Sequence, residues 1–226
     1  MQAKGRANMT VKSNVFQQTI QVKTNMGYNL FIPDHYDAQK EWPIILFLHG
    51  IKRRGADPSM LNHYGLLKIA ENSPDFNFLV LAPQCPALAY WPAVRHEVLA
   101  LLDQVMADYR VDEKKVYLTG FSMGGHGAWD LAAHASHRFA AAAPLSGWFE
   151  KEAVDRIDVP IWAFHREDDD TVTIDGSIQM VEALQEAGKE VKFTSYPGIA
   201  HAIMEETYGN PDLFAWLLSK ERSTRQ

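Results

Sequence analysis

The stretch Lys114–His134, KKVYLTGFSMGGHGAWDLAAH, decides how the rest of the chain is read. Lys115–Thr119 turns apolar and β-branched, as a strand buried on both faces would. The run after Ser122 is compatible with a helix. Between them lies Gly120-Phe121-Ser122-Met123-Gly124, a G-x-S-x-G pattern. Five residues with three fixed positions are weak evidence alone, but a strand before and a helix after make them specific. A serine on so tight a bend projects its hydroxyl off the sheet, and the flanking glycines remove Cβ atoms that would clash. Ser122 is therefore the candidate nucleophile. The N–H of Met123, at the start of the helix, is placed to receive a developing negative charge. The bland alternative, a glycine-rich turn with an incidental serine, does not account for both flanks.

Working outward, further apolar runs alternate with helical patterns. Ile44–Leu48, Phe78–Ala82, Ala140–Leu145, Ile161–His165 and Val191–Tyr196 read as strands. Val94–Tyr109 repeats its apolar residues on one helical face. Ser177–Ala187 does the same, with Gly188 as its stop. Asn210 caps and Pro211 opens a last helix through Leu218. The alternation predicts an α/β fold with a mostly parallel sheet and helices on both faces. Ahead of it, Val15–Val22 and Tyr28–Ile32 flank Lys23–Gly27 and predict an antiparallel hairpin at one edge. The expected organisation is a leader over 1–14, one domain over 15–220 and a tail over 221–226. Gly147–Val159 is short where many lipases insert a lid, so little or no lid is expected.

Composition narrows the function classes. The 226 residues carry a formal net charge of −6 and no long Lys/Arg run, which argues against nucleic acid and against a polybasic membrane surface. No apolar run approaches the roughly 18–20 residues of a membrane span. The N-terminus lacks the apolar core of a secretory signal, and the single cysteine, Cys85, rules out an intrachain disulfide. A cytoplasmic protein is expected. No metal-binding signature occurs, and the expected chemistry needs no cofactor.

An activated serine needs a base, an acid to orient it and donors for an oxyanion, in the chain order serine, acid, histidine for this turn. Of nine histidines, His201 lies in YPGIAHAI, after the last strand and before the last helix, where it can reach back over the sheet. The acid should follow Ile161–His165, where Glu167-Asp168-Asp169-Asp170 offers four carboxylates; spacing alone leaves Asp168, Asp169 and Asp170 open. Leu48-His49-Gly50-Ile51 ends the first buried strand, and its Ile51 N–H is the expected second oxyanion donor. His49 is then a strut of that loop. Trp91, His126, Trp148, Phe149 and Arg53 are the candidate pocket wall, against the alternative of ordinary packing or, for Arg53, solvation.

Taken together, WPIILFLHG, LAPQCP with its following Trp91, YRVDEKKVYLTGFSMGGHGAWDLA, VPIWAFH, MVEALQEAG and YPGIAHAIMEETYGNPDLFAWLLS resemble the small α/β-hydrolases. The likeness is to dienelactone hydrolases, phospholipase/carboxylesterases and polyhydroxybutyrate-depolymerase-like esterases, some labelled predicted peptidases. It runs from about Tyr28 to Leu218. The resemblance implies an α/β-hydrolase fold and a serine esterase acting on a small ester substrate, as monomer or homodimer. It also resolves the acid: the family's FHGxxDxxV, laid on Phe164–Val172, places Asp169 at the aspartate. Two departures stand out. Ile51-Lys52-Arg53-Arg54 replaces small residues after the HG, and Arg166 replaces the glycine of FHG; both predict extra bulk and positive charge at the mouth. The implied reaction is hydrolysis of short-chain or aromatic acyl esters. A small-peptide serine peptidase would instead prefer an amide over its matched ester, and a non-catalytic ligand binder would escape fluorophosphonate labelling.

Overall fold

Alternate residues of each strand face opposite sides of a sheet, and here both sides are apolar. In the computed structural model, which describes Val15 and residues 23–222, the strands are β1 (Tyr28–Phe31), β2 (Trp42–Leu48), β3 (Leu79–Pro83), β4 (Val111–Phe121), β5 (Ala141–Leu145), β6 (Ile161–Arg166) and β7 (Val191–Tyr196). They form one sheet in the order β1-β3-β2-β4-β5-β6-β7. Every pair is parallel except β1 with β3, where Tyr28 lies opposite Pro83. The expected α/β-hydrolase architecture is therefore present. Of the expected edge hairpin, Tyr28–Phe31 forms β1 and pairs antiparallel with β3, while the other strand, Val15–Val22, lies outside the described residues except for Val15.

The helices are α1 (Leu66–Glu71), α2 (Arg95–Asp108), α3 (Met123–His134), α4 (Asp175–Glu186), α5 (Met204–Tyr208) and α6 (Pro211–Leu218). Ile44, Leu46, Val116, Leu118 and Ala163 point to one side, where Val98, Leu102, Trp129, Met180 and Leu184 from α2, α3 and α4 cover them. Ile45, Phe47, Tyr117, Trp162 and Phe164 point to the other side and meet Leu66, Leu67, Tyr208, Leu213 and Leu217 from α1, α5 and α6. Each large side chain so buried contributes about 1.5–3 kcal/mol, and the two layers fix the register of every strand between them.

Helix ends follow local chemistry. Gly188 takes φ +67 and donates its N–H to Gln185 as α4 stops, a backbone that favours glycine. The Asn210 side chain accepts the Asp212 N–H at 3.0 Å and Pro211 takes the first turn of α6. β4 begins earlier than its apolar run because Val111 pairs with Trp42 ahead of a register shift. Residues 146–160, between β5 and β6, carry one 3-10 helix, Lys151–Arg156, and no larger insertion.

Candidate active site

In a parallel sheet every strand ends on the same edge, and the loops there converge. The loops after β2, β4, β6 and β7 carry His49–Ile51, Ser122, Asp169 and His201 respectively. Ser122 itself has φ 58 and ψ −118, a conformation rare for a residue with a Cβ and worth about 1–3 kcal/mol of strain. The surroundings impose it. The Ser122 N–H donates to the Leu145 carbonyl at 2.9 Å, and the Ser122 carbonyl accepts the His126 N–H at 3.0 Å as α3 begins. Strand and helix approach so closely that a Cβ on Gly120 would lie 2.2 Å from the Gly124 carbonyl oxygen. The glycines of the pattern are thus required by contact as well as by turn.

His201 packs its ring over Phe121, the residue before the serine, with centroids 4.7 Å apart. Its Nδ1 lies 2.6 Å from Asp169 Oδ2. A carboxylate can only accept, so Nδ1 carries the proton of this bond. Nε2 is buried without a hydrogen-bond partner, so the bond from Ser122 is not made in this state. Asp169 Oδ1 accepts the N–H groups of Thr171 and Val172, each at 2.9 Å. Burial alone would raise the Asp169 carboxyl. The Val172 N–H, His201 and the Thr171 N–H outweigh it and hold the group below the usual carboxylate range. Asp168 and Asp170, the other two choices, are exposed.

A second imidazole lies against the same acid. His165, at the end of β6, sits with Nε2 3.4 Å from Asp169 Oδ2 and 2.9 Å from the Val172 carbonyl, while Nδ1 meets Ser177 Oγ at 2.8 Å. Burial lowers its pKa. Sequence reading treated it only as a strand end; its place four residues before the acid was the available signal.

The loop after β2 is fastened from below. His49 Nδ1 donates to the Gly50 carbonyl at 2.7 Å, and Nε2 accepts the Cys85 N–H at 3.0 Å. Burial drives this imidazole down to about 4 and keeps it neutral, which the single available tautomer requires. Trp91 donates its indole N–H to the His49 carbonyl at 3.1 Å. Ile51 and Met123 each take the first position of a helical segment, where backbone N–H groups lack intrahelical acceptors. Cys85 is buried, and its thiol is pushed up to about 11 by that burial.

The dienelactone hydrolase family model matches residues 9–215. The chain belongs to the dienelactone hydrolase family. It is 29% identical over 164 residues to a probable feruloyl esterase C of Aspergillus niger, covering 69% of this chain and 59% of that one. A probable feruloyl esterase C of Aspergillus terreus is 32% identical over 162 residues, covering 68% and 58%. The chain thus spans about three-fifths of the length of these fungal relatives. The crystal structure of a thermostable esterase superposes with a TM-score of 0.77 and 30% identity, over 87% of this chain and 60% of that one.

Within this family the departures have definite places. Arg53 stacks over the Tyr64 ring at 4.6 Å and Arg54 over Tyr90 at 4.9 Å, with Arg54 also donating to the Ala89 carbonyl at 3.0 Å. Both guanidinium groups are thereby held on tyrosine faces. Arg166 donates to the Pro197 and Ala202 carbonyls on either side of His201 and pairs with Glu206. Among the expected wall residues, Trp91 is 2% exposed and lies in the core as a brace for His49; its ring is needed to fill the space beside α3. Trp148 is 45% exposed and faces His126 at 4.9 Å, and His126 Nδ1 donates to the Trp148 carbonyl at 2.8 Å. Phe149 lies 5.4 Å from His126. Among the described residues no cluster of His, Cys, Asp and Glu is arranged to hold a metal, and no helix is long and apolar enough to cross a membrane.

Proposed function

We propose that this chain is a serine carboxylesterase that hydrolyses short-chain or aromatic acyl esters through an acyl-enzyme on Ser122. The observation that carries the reading is the His201–Asp169 pair at 2.6 Å, with the His201 ring packed over Phe121 beside the strained Ser122 turn. In the reaction Ser122 Oγ attacks the ester carbonyl and His201 Nε2 takes the hydroxyl proton. Asp169 keeps Nδ1 protonated and stabilises the imidazolium. The Met123 and Ile51 N–H groups receive the oxyanion; backbone donors need no reorganisation as charge develops, and one such donor is worth about 2.7–4 kcal/mol. His201 then gives its proton to the leaving alcohol, and a water repeats the sequence to release the acid.

Two further parts belong to this reading. The catalytic unit is one domain over residues 15–220. Trp148, His126 and Phe149 form an aromatic shelf on the acyl side, and the esterase relatives, named for feruloyl esters, support an aromatic acyl group there. The test is Ser122→Ala. It is expected to lose hydrolysis of p-nitrophenyl acetate and butyrate and all fluorophosphonate labelling while unfolding at the wild-type temperature. Wild-type-like turnover by the folded variant would overturn the proposal.

A further inference from the structure

We propose that Arg166 is a positioning residue for His201, a clamp that closes the loop carrying the histidine by binding the carbonyls on both sides of it. The inference rests on the reading of His201 as the general base. Arg166 is the last residue of β6, and its side chain is largely buried. Nη1 donates to the Pro197 carbonyl at 2.7 Å, and Nη2 donates to the Ala202 carbonyl at 3.1 Å. These two carbonyls bracket His201 at the start and end of the crossing from β7 to α5. Nη2 also pairs with Glu206 on α5.

The loop has little else to hold it. Pro197, Gly198, Ile199 and Ala200 are exposed, Ile199 at 70%, and the chain sinks back into the core only at Ile203. Gly198 has φ +101 and lends no rigidity of its own. Backbone bonds from Glu167 to Tyr196 and from Asp168 to Gly198 tie down its first half alone. The second half, containing His201, is fixed by the Asp169 contact, by the packing of the His201 ring over Phe121 and by the Arg166 bond to Ala202. A planar guanidinium suits this task because its donors diverge at fixed angles, so one side chain sets the separation of two carbonyls. Its Nε is buried and unpartnered, a cost that shows the group is placed by its two Nη nitrogens. A glycine here, as in the FHGxxDxxV pattern that this stretch resembles, would have no side chain to do this.

The experiment compares Arg166→Gly, Arg166→Lys and Glu206→Gln in the full chain, with Ser122→Ala alongside. In Arg166→Gly, kcat for p-nitrophenyl butyrate is expected to fall about tenfold to a hundredfold with KM within about twofold, the pattern of a displaced base with an intact binding surface. Arg166→Lys, which keeps one cationic donor, should recover part of the loss. The low-field proton resonance of the short His201 Nδ1–Asp169 bond should broaden or vanish in Arg166→Gly and weaken less in Arg166→Lys. An unchanged kcat with the resonance intact would overturn the clamp, and so would a rise in KM alone. If Arg166→Gly does not fold, Arg166→Lys and Glu206→Gln decide: both must lower kcat and weaken the resonance, and wild-type values in both refute the proposal. Turnover surviving in Ser122→Ala would sink the esterase reading instead, while the resonance still judges Arg166.

Discussion

Gly124 of α3 packs directly on the Leu48 carbonyl: a Cβ added to it would lie 1.9 Å from that oxygen. The contact joins the two segments that carry the proposed oxyanion donors, since Leu48 leads into Ile51 and Gly124 follows Met123. Spacing between the donors is therefore set by backbone touching backbone, which cannot yield as a side chain does.

It follows that Gly124→Ala forces the β2 loop and α3 apart. Overpacking of this kind costs about 1–3 kcal/mol or more. Hydrolysis should fall further than stability, because the donors separate as well. Urea unfolding and initial rates on one preparation check this; a variant with wild-type kcat would refute it.

Asp169 is proposed to hold His201 in its working tautomer. Asp169→Asn should lower kcat by about 10⁴-fold, whereas Asp168→Asn and Asp170→Asn, at exposed positions, should stay within about threefold of wild type. Its stability effect has a fixed sign. The carboxyl is held below the usual range in the folded chain, so its contribution is present above the ordinary aspartate value and fades as pH falls through the folded one. The wild-type advantage over Asp169→Asn should therefore shrink in acid, as thermal midpoints against pH will show.

His49 titrates in the opposite structural sense, as a base kept neutral. Its pKa is 6.5 ordinarily and about 4 here. The unfolded chain takes up the proton first, so stability is full above the ordinary value and is lost as pH falls towards the folded one, by about 3 kcal/mol from this group. His49→Gln keeps an acceptor for the Cys85 N–H without a titrating ring. It should lose less stability than wild type between about pH 7 and about pH 4.5 in urea melts; parallel pH dependences would contradict the assignment.

Trp148 is the exposed member of the proposed aromatic shelf. Trp148→Ala should raise KM for an aromatic acyl ester by about twofold to tenfold, the worth of one aromatic contact, and leave acetyl-ester kinetics near wild type. Equal losses on both esters would remove the shelf from the binding role.

Local pattern carried much of the candidate site. The G-x-S-x-G turn, the strand before it and the helix after it are neighbours in sequence, so the elbow at Ser122 could be read directly. His201 followed from its place after the last strand, and Asp169 from the family's FHGxxDxxV. Helices α1 and α5, of six and five residues, escaped because neither is long enough to display a helical period. Trp91 was read as a wall because aromatic residues near a site look alike in one dimension; whether a ring fills a core or faces solvent depends on what crosses beneath it.

The sequence by itself determined the chain order of strands β2 to β7 and of helices α2, α3, α4 and α6, the serine turn and the place of His201, because each rests on residues a few places apart; the family resemblance singled out Asp169. Only the tertiary structure decided what Arg166 and His165 do. The carbonyls that Arg166 binds lie 31 and 36 residues away, and His165 meets Asp169 across a loop while Ser177 closes its other side. The Arg166 contacts exist only once β6 and β7 lie side by side, bringing their carboxyl ends to one edge. Ser122 draws its geometry from the turn; the fixing of its proposed base comes from that edge.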